Sequence, residues 1–144
     1  VSHVRIGEEI HSPMVAKGSA DIIIAFEPAE AVRCIAYLKQ GGTIIVNQKA
    51  VRPVTSSLKG TYTDATEMIE YLQAEAGTVT VLDGEEICDA CGSSKVLNIV
   101  LLAAAAKSGT LGITPEELKS AIQQRIPQKF HALNLKAVDM VLQA

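Results

Sequence analysis

Residues 20–47, ADIIIAFEPAEAVRCIAYLKQGGTIIVN, limit what this chain can fold into more than any other stretch. ADIIIAF and TIIVN are short runs with no polar alternation. A strand of that kind must be covered on both faces, which is the condition of a parallel sheet between helices. The intervening PAEAVRCIAYLKQ has helical spacing. Val32, Ile35, Ala36 and Leu38 are expected toward the core and Glu30, Arg33 and Lys39 toward water, with Gly41-Gly42 as the stop. A strand, helix and strand within about 30 residues make a parallel crossover unit. The expected fold is therefore α/β: a Rossmann-like three-layer domain with a mainly parallel sheet.

The flanking sequence extends this scheme. VSHVRIG reads as an earlier strand ending at Gly7, and EEIHSPMVAKGS as a turn-rich connection. Residues 50–63 read as a loop with Pro53. TDATEMIEYLQAEA follows as a helix that starts at Thr63 or Asp64 and is stopped by Gly77. TVTVLDG is a third strand. EEICDACG is a short helix closed by Gly92, and SSKVLNIVLLAAAAKSG a helix with a serine cap. TPEELKSAIQQRI opens with Thr114, Pro115 and Glu117 in a capping-box pattern and ends before Pro127. KFHALNLKAVDMVLQ is a last amphipathic helix, so the C-terminal part is helical. There are no internal repeats, and residues 1–144 read as a single domain.

Composition narrows the function. The chain is 48% hydrophobic but only 3% aromatic, so its core is Ala, Val, Ile and Leu. The net charge is −3 and the charges are dispersed. Without a basic or aromatic patch, nucleic acid is not an expected partner. The apolar run Val96–Ala106 is shorter than the roughly 20 residues needed to cross a bilayer, so no membrane is expected. Three cysteines without secretory features read as reduced thiols in the cytoplasm.

No constellation spells out a reaction. Glu27 ends the first apolar strand, where ligands of α/β proteins sit. Only Gly7 and Gly18 precede it, at the wrong spacing for a dinucleotide loop, and no second carboxylate or His joins it. Its ordinary role is at the helix start, with Pro28 in the first position and Glu30 in the first turn. A partner or ligand contact is the other. Cys88 and Cys91 have redox or metal spacing, but only Cys34 remains and a metal or cluster needs about four ligands. Small structural residues are the better reading. CGSSK (Cys91–Lys95) is a weak phosphate-loop signal beside ordinary serine capping. Asn98 is the one polar residue of VLNIVLLAAAA. In a helix apolar all round it is expected to be buried, tying down a loop or reaching across an interface. Such a helix is hard to bury in a small chain, which points to a subunit interface. Ser2, His3 and His11 form no triad.

The order of motifs, SHVRIG, then Ser12-Pro13, then AD-III-AFEP-x-EAVR-x-x-x-YL-x-x-GGTIIVN, then K-x-LNIVLL-x-A-x-AK, then P-x-K-x-x-x-x-NLKAV, resembles the gamma-type domain of the 2-oxoacid:ferredoxin oxidoreductases. The resemblance spans essentially the whole chain and stands nearest the small, beta-type subunits of the indolepyruvate branch, with the pyruvate type next. It implies a glycine-loop segment and first strand ahead of Val1. It implies oxidative decarboxylation of a 2-oxoacid with coenzyme A, with electrons passing to ferredoxin. It also implies that thiamine diphosphate and iron–sulfur clusters lie on a large partner subunit, with no cofactor or metal bound by this chain alone and no catalytic residue within it. Isolated, it would be inactive, with a homodimer as a state open to it. Cys88 and Cys91 depart from the family pattern. Glu27, Pro28, Asn47 and Asn98 are the residues expected at a partner or ligand surface. The rival readings are a free-standing nucleotide-binding regulatory module and a small thiol oxidoreductase.

Overall fold

The computed structural model describes residues 1–48 and 65–144. Among them, three parallel strands, β1 (Ala20–Ala25), β2 (Leu38–Asn47) and β3 (Thr78–Leu82), form one sheet in the order β1-β2-β3. The helices are α1 (Pro28–Cys34), α2 (Ala65–Glu75), α3 (Gly84–Cys91), α4 (Leu97–Lys107), α5 (Pro115–Arg125) and α6 (His131–Gln143).

The sheet separates two cores. On one face Ile44 and Val46 of β2 pack with Ala25, Ala31 of α1 and Leu72 of α2. On the other, Ile45 packs with α3 and with the C-terminal helices α4, α5 and α6. Successive β2 side chains thus enter opposite layers, and Ile44, Ile45 and Val46 are all fully buried. This is why the run carries no polar alternation. The three-layer α/β arrangement with a helical C-terminal part follows.

Local signals explain most boundaries. Pro28 opens α1. Asp83 caps α3 by accepting from Glu86 N–H, and Gly92, at φ 90°, closes it in the left-handed region. Thr114 and Glu117 make both bonds of the capping box at α5. Ser93 accepts from Lys95 N–H, but it caps a 3₁₀ turn, Ser94–Val96, that leads into α4.

Several expectations change. VSHVRIG is not a strand: residues 1–19 have no regular secondary structure. A strand needs a neighbour to pair with, and none of the described strands lies beside it. Gly41-Gly42 does not stop the first helix. That helix ends at Cys34, passes through a 3₁₀ turn at Ile35–Tyr37, and the chain re-enters the sheet at Leu38, leaving Ala36 exposed. The two glycines instead form a bulge, because Leu38 pairs with Ala20 and Thr43 with Ile22. Gly77 ends α2 through close approach: a Cβ there would lie 2.3 Å from the Gly41 carbonyl oxygen. The proposed loop at 50–63 and the helix start at Thr63 or Asp64 lie outside the described residues.

Helix α4 is sealed within the chain. Ile99, Val100, Leu101 and Ala103 to Ala106 are all buried. Its small residues let α6 and the sheet approach closely, so this helix needs no second subunit to cover it. The apolar side chains left in water lie elsewhere, chiefly Val4, Ile6, Ile10 and Met14 near the N-terminus.

Candidate functional site

Strand pairing brings three strand ends to one edge of the sheet. Ala25 pairs with Val46, and Asn47 with Leu82. Glu27 follows β1 as the residue before α1. Its backbone is extended and its side chain caps nothing, although it is half-buried. Negative charge at this helix start comes also from Glu30, which pairs with Arg33 at 3.0 Å. Pro28 is buried beneath it. Glu27 therefore shapes the corner through its backbone, with its half-buried side chain taking no part in the cap.

Asn47 ends β2 and is only 4% exposed. Its Oδ1 accepts from Gly84 N–H at 2.9 Å, tying the end of β2 to the start of α3. Next to it, Gln48 N–H donates to the Leu82 carbonyl and its Nε2 donates to Asp83 Oδ2 at 2.9 Å. The Leu97 side chain lies over Gly84, which brings the start of α4, and with it Asn98, toward the same edge. Asn98 is exposed, contrary to its expected burial. It occupies the first turn of α4, before the helix passes under its neighbours.

Glu27, Asn47 and Asn98 thus lie at the carboxyl edge, with Pro28 underneath. Sequence reasoning missed Gln48 and Asp83. The signal for Asp83 was present: an Asp directly before GEE is a helix cap with acids in the first turn. With Ala65, Thr66, Ile69 and Glu85 these two line an open cleft of about 330 Å³ beside the strand ends. Its charged lining among the described residues, Asp83 and Glu85, is acidic.

The thiols do not form a redox or cluster site. Cys88 and Cys91 are buried in the core on the α4 face of the sheet, with Cys91 Sγ 3.2 Å from Met140 Sδ. Burial pushes the Cys88 thiol up, and the neighbouring Cys91 and Asp89 add to the shift, so it stays protonated. Cys34 belongs to α1, on the opposite face of the sheet. Three cysteines split in this way do not fit an iron–sulfur cluster. Among the described residues, no group of three or more His, Cys, Asp or Glu comes together, and no helix is long and apolar enough to cross a membrane.

A family model for pyruvate ferredoxin/flavodoxin oxidoreductase matches residues 1–144, and the chain belongs to that family. It is 32% identical to the indolepyruvate oxidoreductase subunit IorB of Thermococcus kodakarensis and to that of Pyrococcus horikoshii. Each alignment runs over 146 residues and covers 100% of this chain and 72% of the relative. Among solved structures, the gamma subunit of a keto/oxoacid ferredoxin oxidoreductase from Geobacter sulfurreducens shares the fold, with a TM-score of 0.59 at 24% identity. That match covers 85% of this chain and 62% of the other.

Proposed function

We propose that this chain is the small, accessory subunit of a 2-oxoacid:ferredoxin oxidoreductase of the indolepyruvate or pyruvate type. The complex would oxidatively decarboxylate a 2-oxoacid with coenzyme A, releasing CO2 and an acyl-CoA and passing two electrons to ferredoxin. The observation that carries this reading is the match of the family along the entire chain, with relatives named as subunits of indolepyruvate oxidoreductase. Thiamine diphosphate and the iron–sulfur clusters belong to a large partner subunit. This chain supplies no proton, ligand or electron carrier to the reaction and works in the cytoplasm. Glu27, Pro28, Asn47 and Asn98 form its partner or ligand surface at the carboxyl edge of the sheet.

The test is anaerobic purification of the tagged protein from its own cells, with the co-purifying chains identified by mass spectrometry. A stoichiometric subunit carrying thiamine diphosphate and iron–sulfur clusters supports the reading, and assays of 2-oxoacids one by one then give the substrate. Recovery of the chain alone, binding a nucleotide tightly, would replace it with a regulatory nucleotide-binding module.

A further inference from the structure

We infer that His3 is a pH-sensitive latch: its neutral imidazole closes residues 3–15 into a loop against the body of the fold, and a second proton on the ring opens that loop.

Residues 1–19 have no regular secondary structure, so no helix or strand ladder holds them. Val15 N–H donates to His3 Nδ1 at 3.0 Å and closes the loop. The same half-buried ring meets Tyr37 edge to face, with centroids 5.4 Å apart, and so joins the loop to the turn between α1 and β2. Inside the loop, Arg5 Nη1 donates to the Ser12 carbonyl at 2.8 Å and Met14 N–H to Ser12 Oγ at 3.1 Å. Among the described residues, no other side chain of residues 1–15 makes a hydrogen bond, ion pair or ring contact outside this segment. The base below the latch is backbone: Gly18 N–H donates to the Ala36 carbonyl at 2.9 Å, and β1 begins two residues later.

A backbone N–H only donates, so Nδ1 must be the bare nitrogen and the neutral ring carries its proton on Nε2. An ordinary imidazole takes a second proton at about pH 6.5, and both ring nitrogens are then donors. Nδ1–H would face Val15 N–H with no acceptor between them. The ring has to turn away, and the edge contact with Tyr37 depends on its orientation. The charged and titratable groups around it are Arg5 and His11 in the same cleft, Glu8, Glu9 and Lys17 along the segment, and Tyr37 on the facing turn. Among the described residues, no carboxylate makes an ion pair with His3 in exchange for the lost bond. His131 behaves in the opposite way. Its Nε2 lies 2.6 Å from the Ile126 carbonyl oxygen, which only accepts, so that ring donates whether neutral or charged. His11 is exposed and makes no hydrogen bond among the described residues. Of the three histidines, His3 is the one whose bond depends on its charge.

The experiment is an NMR titration of the isotope-labelled chain from about pH 8 to about pH 5, across the ordinary imidazole range. The Val15 amide shift is expected to move in step with the His3 ring carbons. Backbone order parameters of residues 4–14 are expected to fall over the same interval, from above about 0.6 into the flexible range below it. The Gly18 amide, bonded to Ala36 beneath the latch, is expected to stay protected from exchange. His3→Phe keeps an aromatic edge for Tyr37 but offers no acceptor, so its loop is expected to be open at every pH. His11→Phe is expected to titrate as wild type does. A His3 ring that titrates while Val15 and the order parameters stay fixed overturns the latch. So does a wild-type loop already below about 0.6 at pH 8. A loop that stays closed or still responds to pH in His3→Phe, or a response lost in His11→Phe, overturns His3 as the sensor. Exchange of the Gly18 amide together with the rest of the sheet at low pH assigns the change to unfolding of the whole chain and overturns the latch as well.

Discussion

Asn47 Oδ1 accepts a hydrogen bond from Gly84 N–H, and this one contact locks the end of β2 to the first turn of α3. Both residues are buried, and Gly84 is glycine for a spatial reason. A Cβ there would stand 2.4 Å from Leu97 Cδ1 and 2.9 Å from Asn47 Oδ1. Three elements, β2, α3 and the start of α4, converge on a space with no room for a methyl group.

The lock is expected to be costly to break from either side. Asn47→Leu leaves the Gly84 N–H buried without an acceptor and should lower unfolding stability by about 1–3 kcal/mol. Asn47→Asp keeps an acceptor and should cost less. Gly84→Ala should cost about 1–3 kcal/mol by overpacking. Urea denaturation of the three variants checks the order. If Asn47→Leu matches wild type, the bond does not hold this edge.

The Gly41–Gly77 contact makes a sharper case. A Cβ on Gly77 would meet the Gly41 carbonyl carbon and oxygen, which are backbone and have little freedom to retreat. Gly77→Ala is therefore expected at the upper end of overpacking losses, about 3 kcal/mol. Gly7→Ala meets nothing within 4 Å and should stay within about 0.5 kcal/mol of wild type. Thermal melts of the two, read side by side, check this.

The helix caps offer a milder test. Thr114 and Glu117 exchange both bonds of the box at 3.1 Å. Thr114→Ala should cost about 1 kcal/mol, with Thr114→Ser close to wild type. Equal losses for Ala and Ser would assign the effect to packing instead of capping.

The Cys88 thiol gives a pH dependence of defined sign. Its folded pKa is raised above the ordinary 9.0, by burial first and then by Cys91 and Asp89. The folded state thus holds the thiol proton more tightly than the unfolded chain. That contribution to stability is complete below pH 9 and fades as pH rises above it toward the folded pKa. For one group the slope is at most about 1.4 kcal/mol per pH unit. Urea midpoints between pH 8 and 10 should fall more steeply for wild type than for Cys88→Ala. Parallel curves would mean that the thiol titrates alike in both states.

What the sequence revealed and what it concealed divide along a physical line. The ADIIIAF and TIIVN strands, the Thr114 box and the Gly92 stop were legible because burial on two faces, capping and left-handed turns each leave a local residue signature. The strand expected at VSHVRIG was not legible as a coil, since strandedness belongs to a pair and the alternation of Val4 and Ile6 says nothing about whether a neighbour exists. Gly41-Gly42 looked like a helix stop because a glycine that takes positive φ inside a strand irregularity, as Gly41 does, is spelled like one that takes it at a helix end. At the candidate site, Glu27 and Asn47 were found from their places at strand ends. Gln48, on the same edge, was missed because it carries no motif and acquires its role only when β3 delivers Asp83 to it.

Asn98 was misjudged for a related reason, and it yields the most direct test of the carboxyl-edge surface. A helix apolar on all sides gives no clue to where one amide points, and Asn98 turns out to lie in the exposed first turn of α4. Removing an exposed side chain that stabilises nothing should change folding by no more than about 0.5 kcal/mol. If this edge meets the large subunit, Asn98→Ala in the tagged chain should leave Tm unchanged and reduce the large subunit recovered on anaerobic purification. Asn98→Asp should reduce it further where the partner presents a hydrogen-bond acceptor to the amide, because the carboxylate then faces it unpaired. Unchanged recovery with both variants would remove Asn98 from the interface and leave the half-buried Glu27 as the residue of that edge to test next.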